Sequence, residues 1–536
     1  MNRSCARLFA TLLCGLALAA CGGGGGGSGA TLPPPVPTIS DAQAARFLRQ
    51  ASFGPTPADI AEVQRLGYAG WIDAQLKLPA SLELPYVRGA QAPSQSDRVD
   101  IWFQNAVHGR DQLRQRVAFA LSEILVVSDV GALAPFPQAT AHYYDLLAGG
   151  AFGSFRALMQ DVTLNPGMGI FLSVLNNQKP DPSRNIRPDE NYARELMQLF
   201  SIGLVQLNAD GSVRSDGAGK PIPTYDQAVV EGFAHVFTGW TLAPPPAGSS
   251  DYNFVDPMQP LEALHDQGEK HLLDGALVPA GGTAEEDLKL ALDNVFAHPN
   301  VGPFISRQLI QRLVSSNPSA AYVGRVAAVF ADDGSGQRGN LAAVVRAILL
   351  DAEARTPAAD SPGKLVEPLL RLTGVWRAYG AASSSGRFRL DGLGFILGQA
   401  PLSAPSVFNF FRPDYSPPGS LRDAGVLAPE MQITDENLLT LSSNLQAYSI
   451  FVLNSSGTGF KPDDVIIDIQ SELGSAADAS VLTDHVAARL LGGDISPDLR
   501  AATREMVGQW PADQSAARVA EAIYSVATSP EYATLR

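Results

Sequence analysis

The stretch from Arg187 to Gly203, RPDENYARELMQLFSIG, holds the densest cluster of charged and amide side chains in the chain. The carboxylates of Glu190 and Glu195 could bind a divalent metal ion or transfer protons, and Arg194 could clamp a ligand carboxylate. Glu190 and Arg194 are also spaced to pair along a helix, as are Asn191 and Glu195. The sequence therefore favours either a polar face that lines a pocket or a buried ion-pair network, or an ordinary amphipathic helix with a solvated face.

A second group of candidate residues lies further along the chain at His265 and Asp266. Together with Glu190 and Glu195 they form a candidate set of ligands for a divalent metal, although the spacing matches no known ligand pattern. His265 and Asp266 could instead cap a loop. His235 stands among apolar neighbours and is expected to be a core histidine with satisfied hydrogen bonds.

The central stretch predicts a helix from about Pro188 to Ile202. Proline suits the first turn of a helix, where its missing N–H is not needed. Asp189 and Glu190 place negative charge at the positive end of the helix dipole. Gly203 stands where a left-handed C-terminal cap is expected.

The rest of the chain predicts an all-α protein of repeated helix–turn units, including a long helix over residues 97–128 that breaks near Gly109. Asp-Gly pairs and short alternating segments predict a small β-hairpin excursion near residues 204–225. Strand–helix alternation is missing, which argues against a parallel-sheet nucleotide-binding fold. Helical residues dominate the predicted body, 40–536, which would form one or two lobes.

The first residues have the pattern of a bacterial lipoprotein signal. Arg3 and Arg7 precede an apolar run that ends at Leu18-Ala19-Ala20-Cys21. We predict a signal peptide over residues 1–20, cleavage before Cys21 and lipidation of its thiol, the alternative being an ordinary secreted protein cut near Ala20. A tether rich in glycine and proline follows over residues 21–39.

Cysteine content and charge narrow the possible functions. The three cysteines are Cys5, Cys14 and Cys21, so the predicted body has no thiol for a disulfide, a cysteine zinc site or a cysteine nucleophile. The net charge of −15 makes nucleic acid an improbable partner, because an acidic body repels phosphate backbones.

Several segments, in this order, resemble a large bacterial family catalogued as domain of unknown function 1800 (DUF 1800). The central one is Glu190-Asn191-x-Ala193-Arg194-Glu195, with Gly203 after it. The other segments span most of residues 40–536: AARFLRQASFGPTPADI, WIDAQL, Thr238-Gly239-Trp240, His265-Asp266-x-x-x-Lys270, His298-Pro299 with Phe304-Ile305-x-Arg307, and Gly398-Gln399-Ala400-Pro401. Where family members often carry Gly-Trp-Pro, this chain has Asn409-Phe410-Phe411-Arg412-Pro413.

The resemblance adds Lys270 and Asn191 to the candidate site residues, which become Glu190, Asn191, Arg194, Glu195, His265, Asp266 and Lys270. It implies no mechanism. Gly22 after the lipidated cysteine resembles lipoproteins sorted to an outer membrane, which implies a periplasmic or surface-facing protein of a Gram-negative cell.

Many genomes pair this family with a sulfatase-like family, domain of unknown function 1501 (DUF 1501), which implies a two-protein envelope system. The first functional hypothesis is therefore a binding or accessory lipoprotein. The second is a metal- or carboxylate-dependent hydrolase that acts on an extracellular polymer, and the third is a structural envelope protein.

Overall fold

The computed structural model describes residues 38–248, 251–357, 361–452, 454 and 460–536. The predicted signal peptide, Cys21 and almost all of the predicted tether lie outside the described residues. Within the described part, no helix combines the length and the apolar composition needed to cross a membrane.

The α-helices that position the candidate residues make up most of the described chain. In order they are α1 Asp41–Ala51, α2 Pro57–Gln75, α3 Leu84–Gly89, α4 Gln95–His108, α5 Gln112–Ser122, α6 Pro137–Gly150, α7 Phe155–Leu164, α8 Pro166–Phe171, α9 Asn191–Gln198, α10 Gln227–Val236, α11 Ala284–Ala297, α12 Val301–Leu313, α13 Ala320–Ala331, α14 Leu341–Leu350, α15 Ala352–Arg355, α16 Pro368–Ala378, α17 Leu393–Leu397, α18 Ser420–Asp423, α19 Glu436–Ala447, α20 Gln470–Leu473, α21 Ala479–Leu491, α22 Pro497–Gly508, α23 Ser515–Ala527 and α24 Pro530–Ala533. The prediction of a mainly helical protein is confirmed.

Side-chain caps fix where several of these helices begin. Ser94, for example, accepts the backbone N–H of Asp97 while the Asp97 carboxylate accepts the backbone N–H of Ser94, and α4 starts directly after this reciprocal pair. The predicted break near Gly109 is also present, since α4 ends at His108 and α5 begins at Gln112. The second half is shorter than expected, because α5 ends at Ser122.

Strands are few and short in the described part. Three antiparallel pairs join β1 Trp240–Thr241 to β2 Gln259–Pro260, β3 Lys270–His271 to β4 Leu277–Val278, and β5 Lys364–Leu365 to β6 Thr534–Leu535. The predicted excursion near residues 204–225 is a loop held by three antiparallel bridges, Val205 to Pro223, Leu207 to Val213 and Ser215 to Pro221. It is called the bridged loop below.

The central helix is shorter than predicted at both ends. Residues Pro188 and Asp189 lie before the helix and not in it. The Asn177 side chain holds the backbone of Asp189 there, because it accepts the N–H of Asp189 at 2.9 Å and donates to its carbonyl oxygen at 3.3 Å. The helix starts at Asn191 and ends at Gln198. Gly203 does adopt the predicted left-handed conformation, with φ of 74°, and its N–H donates to Met197 O.

One large apolar core connects the helices from the first to the last. The tryptophans Trp71, Trp102, Trp240 and Trp376 are all buried in it, although they come from widely separated segments. Residues Ile39 to Arg536 accordingly form one compact unit, which carries its own core.

Candidate functional site

Glu190 and Arg194 form an exposed ion pair at the start of α9. Arg194 Nη2 donates to Glu190 Oε2 at 2.8 Å, and the side chains are 40% and 35% exposed. Gln227, the first residue of α10, donates through Nε2 to both Glu190 oxygens at 3.1 and 3.0 Å. This part of the polar face is therefore solvated, as the simpler interpretation of the sequence expects.

Glu195 and Tyr225 differ from that exposed pair because they are withdrawn from water. Glu195 is buried, its Oε2 has no hydrogen-bond partner among the described residues, and burial raises the pKa of its carboxyl group although the charge of Arg194 opposes the shift. Burial likewise raises the pKa of Tyr225 to about 12, and its hydroxyl is also without a partner in the described part. Asn191 is exposed, and no described hydrogen bond joins its side chain to Glu195.

His265 and Lys270 belong to a buried ionic cluster around Asp287. His265 Nε2 lies 3.1 Å from Asp287 Oδ2, and Lys270 Nζ lies 2.5 Å from the same oxygen. His265 Nδ1 lies 2.9 Å from the carbonyl oxygen of Thr238. Each side chain has partners and is almost completely buried, so the cluster fastens the loop to α11 and presents no open face to a ligand.

Asp266 points to a different partner, the half-buried His235 of α10. Asp266 Oδ2 contacts His235 Nδ1, and Asp266 Oδ1 accepts the N–H of Gly268 at 2.7 Å. Burial acts to raise the pKa of Asp266, but these hydrogen bonds and the positive charge of nearby groups outweigh it and lower the pKa. His235 is thus satisfied as expected, although it lies near the surface rather than deep in the core.

The predicted candidates fall into separate places rather than one cleft. Gln227 holds Glu190 at one end of α10 and His235 holds Asp266 at the other, and at 1.5 Å per residue these ends are about 12 Å apart. Among the described residues, no three His, Cys, Asp or Glu side chains are grouped to hold a metal ion. The set Glu190, Glu195, His265 and Asp266 is therefore not assembled into a single site.

A cleft of about 710 Å³ lies where the end of α9, the bridged loop, α12 and the loop 407–414 meet. Gly203 contributes to its shape, because a Cβ atom there would lie 2.9 Å from the Phe304 ring. Most of the lining is apolar. The apolar side chains are Ile124, Leu199, Ile202, Leu204, Val205, Leu207, Val213, Phe304, Val407, Phe408 and Pro413.

The polar end of the cleft is formed by Glu123, directly after α5, and Arg312 of α12. Arg312 Nη2 donates to the Glu123 carbonyl oxygen at 2.9 Å, and Arg312 Nε lies 3.8 Å from Glu123 Oε2. Behind them, Gln399 Nε2 donates to Glu123 Oε1 at 3.2 Å and to Glu367 Oε2 at 2.7 Å. One amide thus bridges two buried carboxylates.

More buried charges surround this pair of carboxylates. Lys364 forms an ion pair with Glu430, and Arg116 Nη2 donates to the carbonyl oxygen of Arg312 at 2.6 Å. Burial, followed by the negative charge of Glu367, raises the pKa of Glu123 well above its usual range. Because taking so many charges out of water is costly, the cluster is better suited to a functional role than to stability alone.

The loop 407–414 lines the cleft and carries a residue in the left-handed conformation. Asn409 has φ of 65°, a left-handed conformation that is uncommon for a residue other than glycine. Its Nδ2 is buried and has no hydrogen-bond partner within the described part of the chain. This is the segment in which the sequence departs from the Gly-Trp-Pro of the family it resembles.

The sequence contains only a partial signal for this cleft. Phe304, Arg307 and Gln399 stand in segments that carry the family resemblance, yet nothing in their spacing connects them. Glu123 and Arg312 had no signal of their own, since they become neighbours only when α5 and α12 pack together.

Comparison with known proteins gives one match. A family model described as "Protein of unknown function (DUF1800)" matches residues 46–534, nearly the whole chain. Neither the curated proteins nor the solved structures contain a match. The matched range includes nearly all of the segments whose order along the chain suggested the resemblance. The chain therefore belongs to the DUF1800 family.

Proposed function

We propose that the protein is a binding component of the cell envelope that holds a small molecule with an apolar body in the cleft beside α12. The observation that carries this proposal is the cleft itself. Its volume suits a small ligand, and its lining is mainly apolar with a few polar groups at one end, which is the usual composition of ligand pockets.

Exposed apolar side chains at the cleft support this assignment. Leu204, Val213 and Phe408 each leave close to half of their surface in water. Leaving such groups exposed forgoes hydrophobic stabilisation, at about 25 cal/mol per Å². A ligand that covers them recovers that free energy, so the cleft is better matched to an occupant than to water.

The proposed cellular location of the protein rests on the predicted lipid anchor. A lipid on Cys21 and the tether over residues 21–39 would hold the body at an outer membrane, facing the periplasm or the surface. The protein would deliver or present its ligand to a second component, and a sulfatase-like protein of the DUF 1501 family is the partner proposed for that role.

A fluorescence titration of the body, residues 39–536, with N-phenyl-1-naphthylamine tests the binding function. We expect saturable enhancement of the dye, and we expect Val213→Trp, which adds bulk in the cleft, to weaken the affinity at least tenfold. Val481→Trp is the matched control, because Val213 and Val481 are 47% and 44% exposed but only Val213 lines the cleft. Equal binding by both variants would contradict the proposal.

Hydrolysis by carboxylates is a second candidate, favoured by the buried pair of Glu123 and Glu367. A carboxyl group whose pKa is raised can act as a general acid at neutral pH. The test is release of new chain ends from envelope polysaccharides or peptidoglycan by the body. Release that Glu123→Gln abolishes, with an unchanged unfolding temperature, would support this function, and no release from any polymer would reject it.

A further inference from the structure

We propose that the ligand of the cleft is an amphipathic anion, with a hydrocarbon body and a carboxylate or phosphate at one end. This inference rests on the proposed binding function and specifies its ligand. The anionic end would lie against Arg307, Arg312 and Asn409, and the hydrocarbon would lie along Phe304 and the bridged loop.

The face of α12 that lines the cleft changes character along its length. Phe304, Arg307, Gln308, Gln311 and Arg312 follow the spacing of one helical stripe, and all five line the cleft. The stripe begins with an aromatic ring that packs against Gly203 and ends with a guanidinium about 12 Å further along the helix. A ligand lying along this stripe would meet an apolar end and a polar end.

The charge of the cleft differs in sign from that of the whole protein. Three arginines and two carboxylates line it, namely Arg307, Arg312, Arg412, Glu123 and Asp414, whereas the chain carries a net charge of −15. Arg412 is already paired with Asp414, at 3.1 and 2.9 Å. Arg307 is exposed and forms no ion pair within 4 Å in the described ranges, although its charge helps to lower the pKa of Asp414. Its guanidinium can therefore still bind a ligand anion.

Two buried hydrogen-bond donors in the lining of the cleft also make no hydrogen bond within the described part of the chain. Arg312 Nε faces Glu123 Oε2 at 3.8 Å, too far for a hydrogen bond, and Asn409 Nδ2 has no hydrogen-bond partner among the described residues. The two residues are 4% and 6% exposed. A buried donor without an acceptor is unfavourable, because it has given up its hydrogen bonds to water and gained none in return. An anionic group supplies several acceptor lone pairs at once, which a neutral hydrocarbon cannot do.

Glu123 would repel such an anion if it were ionised. Burial and the neighbouring charge of Glu367 raise the pKa of Glu123, which keeps its carboxyl group neutral more readily than an exposed glutamate. The raised pKa therefore reduces the repulsion that Glu123 would exert on an anion in the cleft.

Displacement of N-phenyl-1-naphthylamine from the body tests the ligand class with four twelve-carbon probes below their micellar concentrations. They are dodecanoate, dodecyl phosphate, dodecanol and dodecyltrimethylammonium. We expect at least one anion to displace the dye at a tenfold lower concentration than dodecanol, with the cation weaker still. The stronger of the two anions identifies the head group as carboxylate or phosphate.

Arg307→Gln should remove most of this preference, by weakening the preferred anion at least fivefold more than it weakens dodecanol. Arg65→Gln is the matched control, because it removes one exposed positive charge outside the cleft. Equal displacement by all four probes, or tighter binding of the cation, would overturn the inference while leaving the binding function intact. Failure of the dye itself to bind would instead reject the proposed function.

Discussion

Lys270 Nζ lies 2.5 Å from Asp287 Oδ2, and both side chains are 1% exposed. This ion pair gives a structural role to the lysine that stands five residues after His265. Removing one partner leaves the other charge buried and uncompensated, which costs about 3–5 kcal/mol. We therefore expect Lys270→Met to lower the free energy of unfolding by that amount in urea denaturation. A loss below about 1 kcal/mol would contradict the role given to the pair.

The ion pair between Arg194 and Glu190 gives the opposite expectation. It is largely exposed, and ion pairs in water contribute about 0–1 kcal/mol. Arg194→Gln should therefore change the free energy of unfolding by less than about 1 kcal/mol, measured alongside Lys270→Met under identical conditions. A larger loss would mean that the polar face of α9 is part of a buried network after all.

The close packing around Gly239 accounts for the glycine in Thr238-Gly239-Trp240, one of the segments that carry the family resemblance. It has φ of 81°, and a Cβ atom there would lie 2.7 to 2.8 Å from the Cβ and backbone of His265. Gly239→Ala should therefore lose about 2 kcal/mol or more through backbone strain and overpacking. Gly149→Ala is the control, because Gly149 is helical with open space around its Cβ position and should gain about 0.5–1 kcal/mol. Thermal unfolding of both variants checks the contrast.

Local residue chemistry predicted the helical class, the break at Gly109 and the left-handed Gly203, because each depends on neighbours in sequence. The start of α9 was predicted wrongly, since Asn177 holds the backbone of Asp189 from twelve residues away. The cleft left only a partial signal in the sequence. Its polar end joins Glu123 to Arg312, and their meeting depends on how α5 and α12 pack.

Asp145 should make stability depend on pH. It accepts the N–H groups of Glu83 and Leu84 at 2.6 and 2.9 Å, yet burial outweighs these bonds and raises its pKa to about 6. The folded state then binds a proton more tightly than the unfolded state, whose aspartate has a pKa of about 3.9. The stabilising contribution is complete below pH 4 and is lost as pH rises through 6, about 2–3 kcal/mol in all.

Asp145→Asn removes this titration but keeps an acceptor oxygen for only one of the two N–H groups, so it should also lower stability by an amount that does not depend on pH. Between pH 4 and pH 7 the parent should lose free energy of unfolding that the variant does not lose. The variant should therefore become more stable relative to the parent as pH rises. Urea denaturation across that range measures it. The exposed Asp513→Asn serves as a control for the loss of one negative charge, and parallel pH curves for Asp145→Asn and the parent would contradict the assignment.

Gln399 links the cleft to the stability of the whole body, because its amide donates to both Glu123 and Glu367. Removing the donor leaves two buried acceptors unsatisfied, at about 1–3 kcal/mol each, and Gln399→Leu does so without leaving a large cavity. We expect a loss of about 3 kcal/mol in urea denaturation. The control Gln160→Leu lies on the exposed side of α7 and should change stability by less than about 0.5 kcal/mol. Without the hydrogen bond from Gln399, the pKa of Glu123 should rise further above its usual range, so the loss should grow with pH. A loss that is the same at pH 5 and pH 8 would mean that Gln399 supports the helices by packing alone.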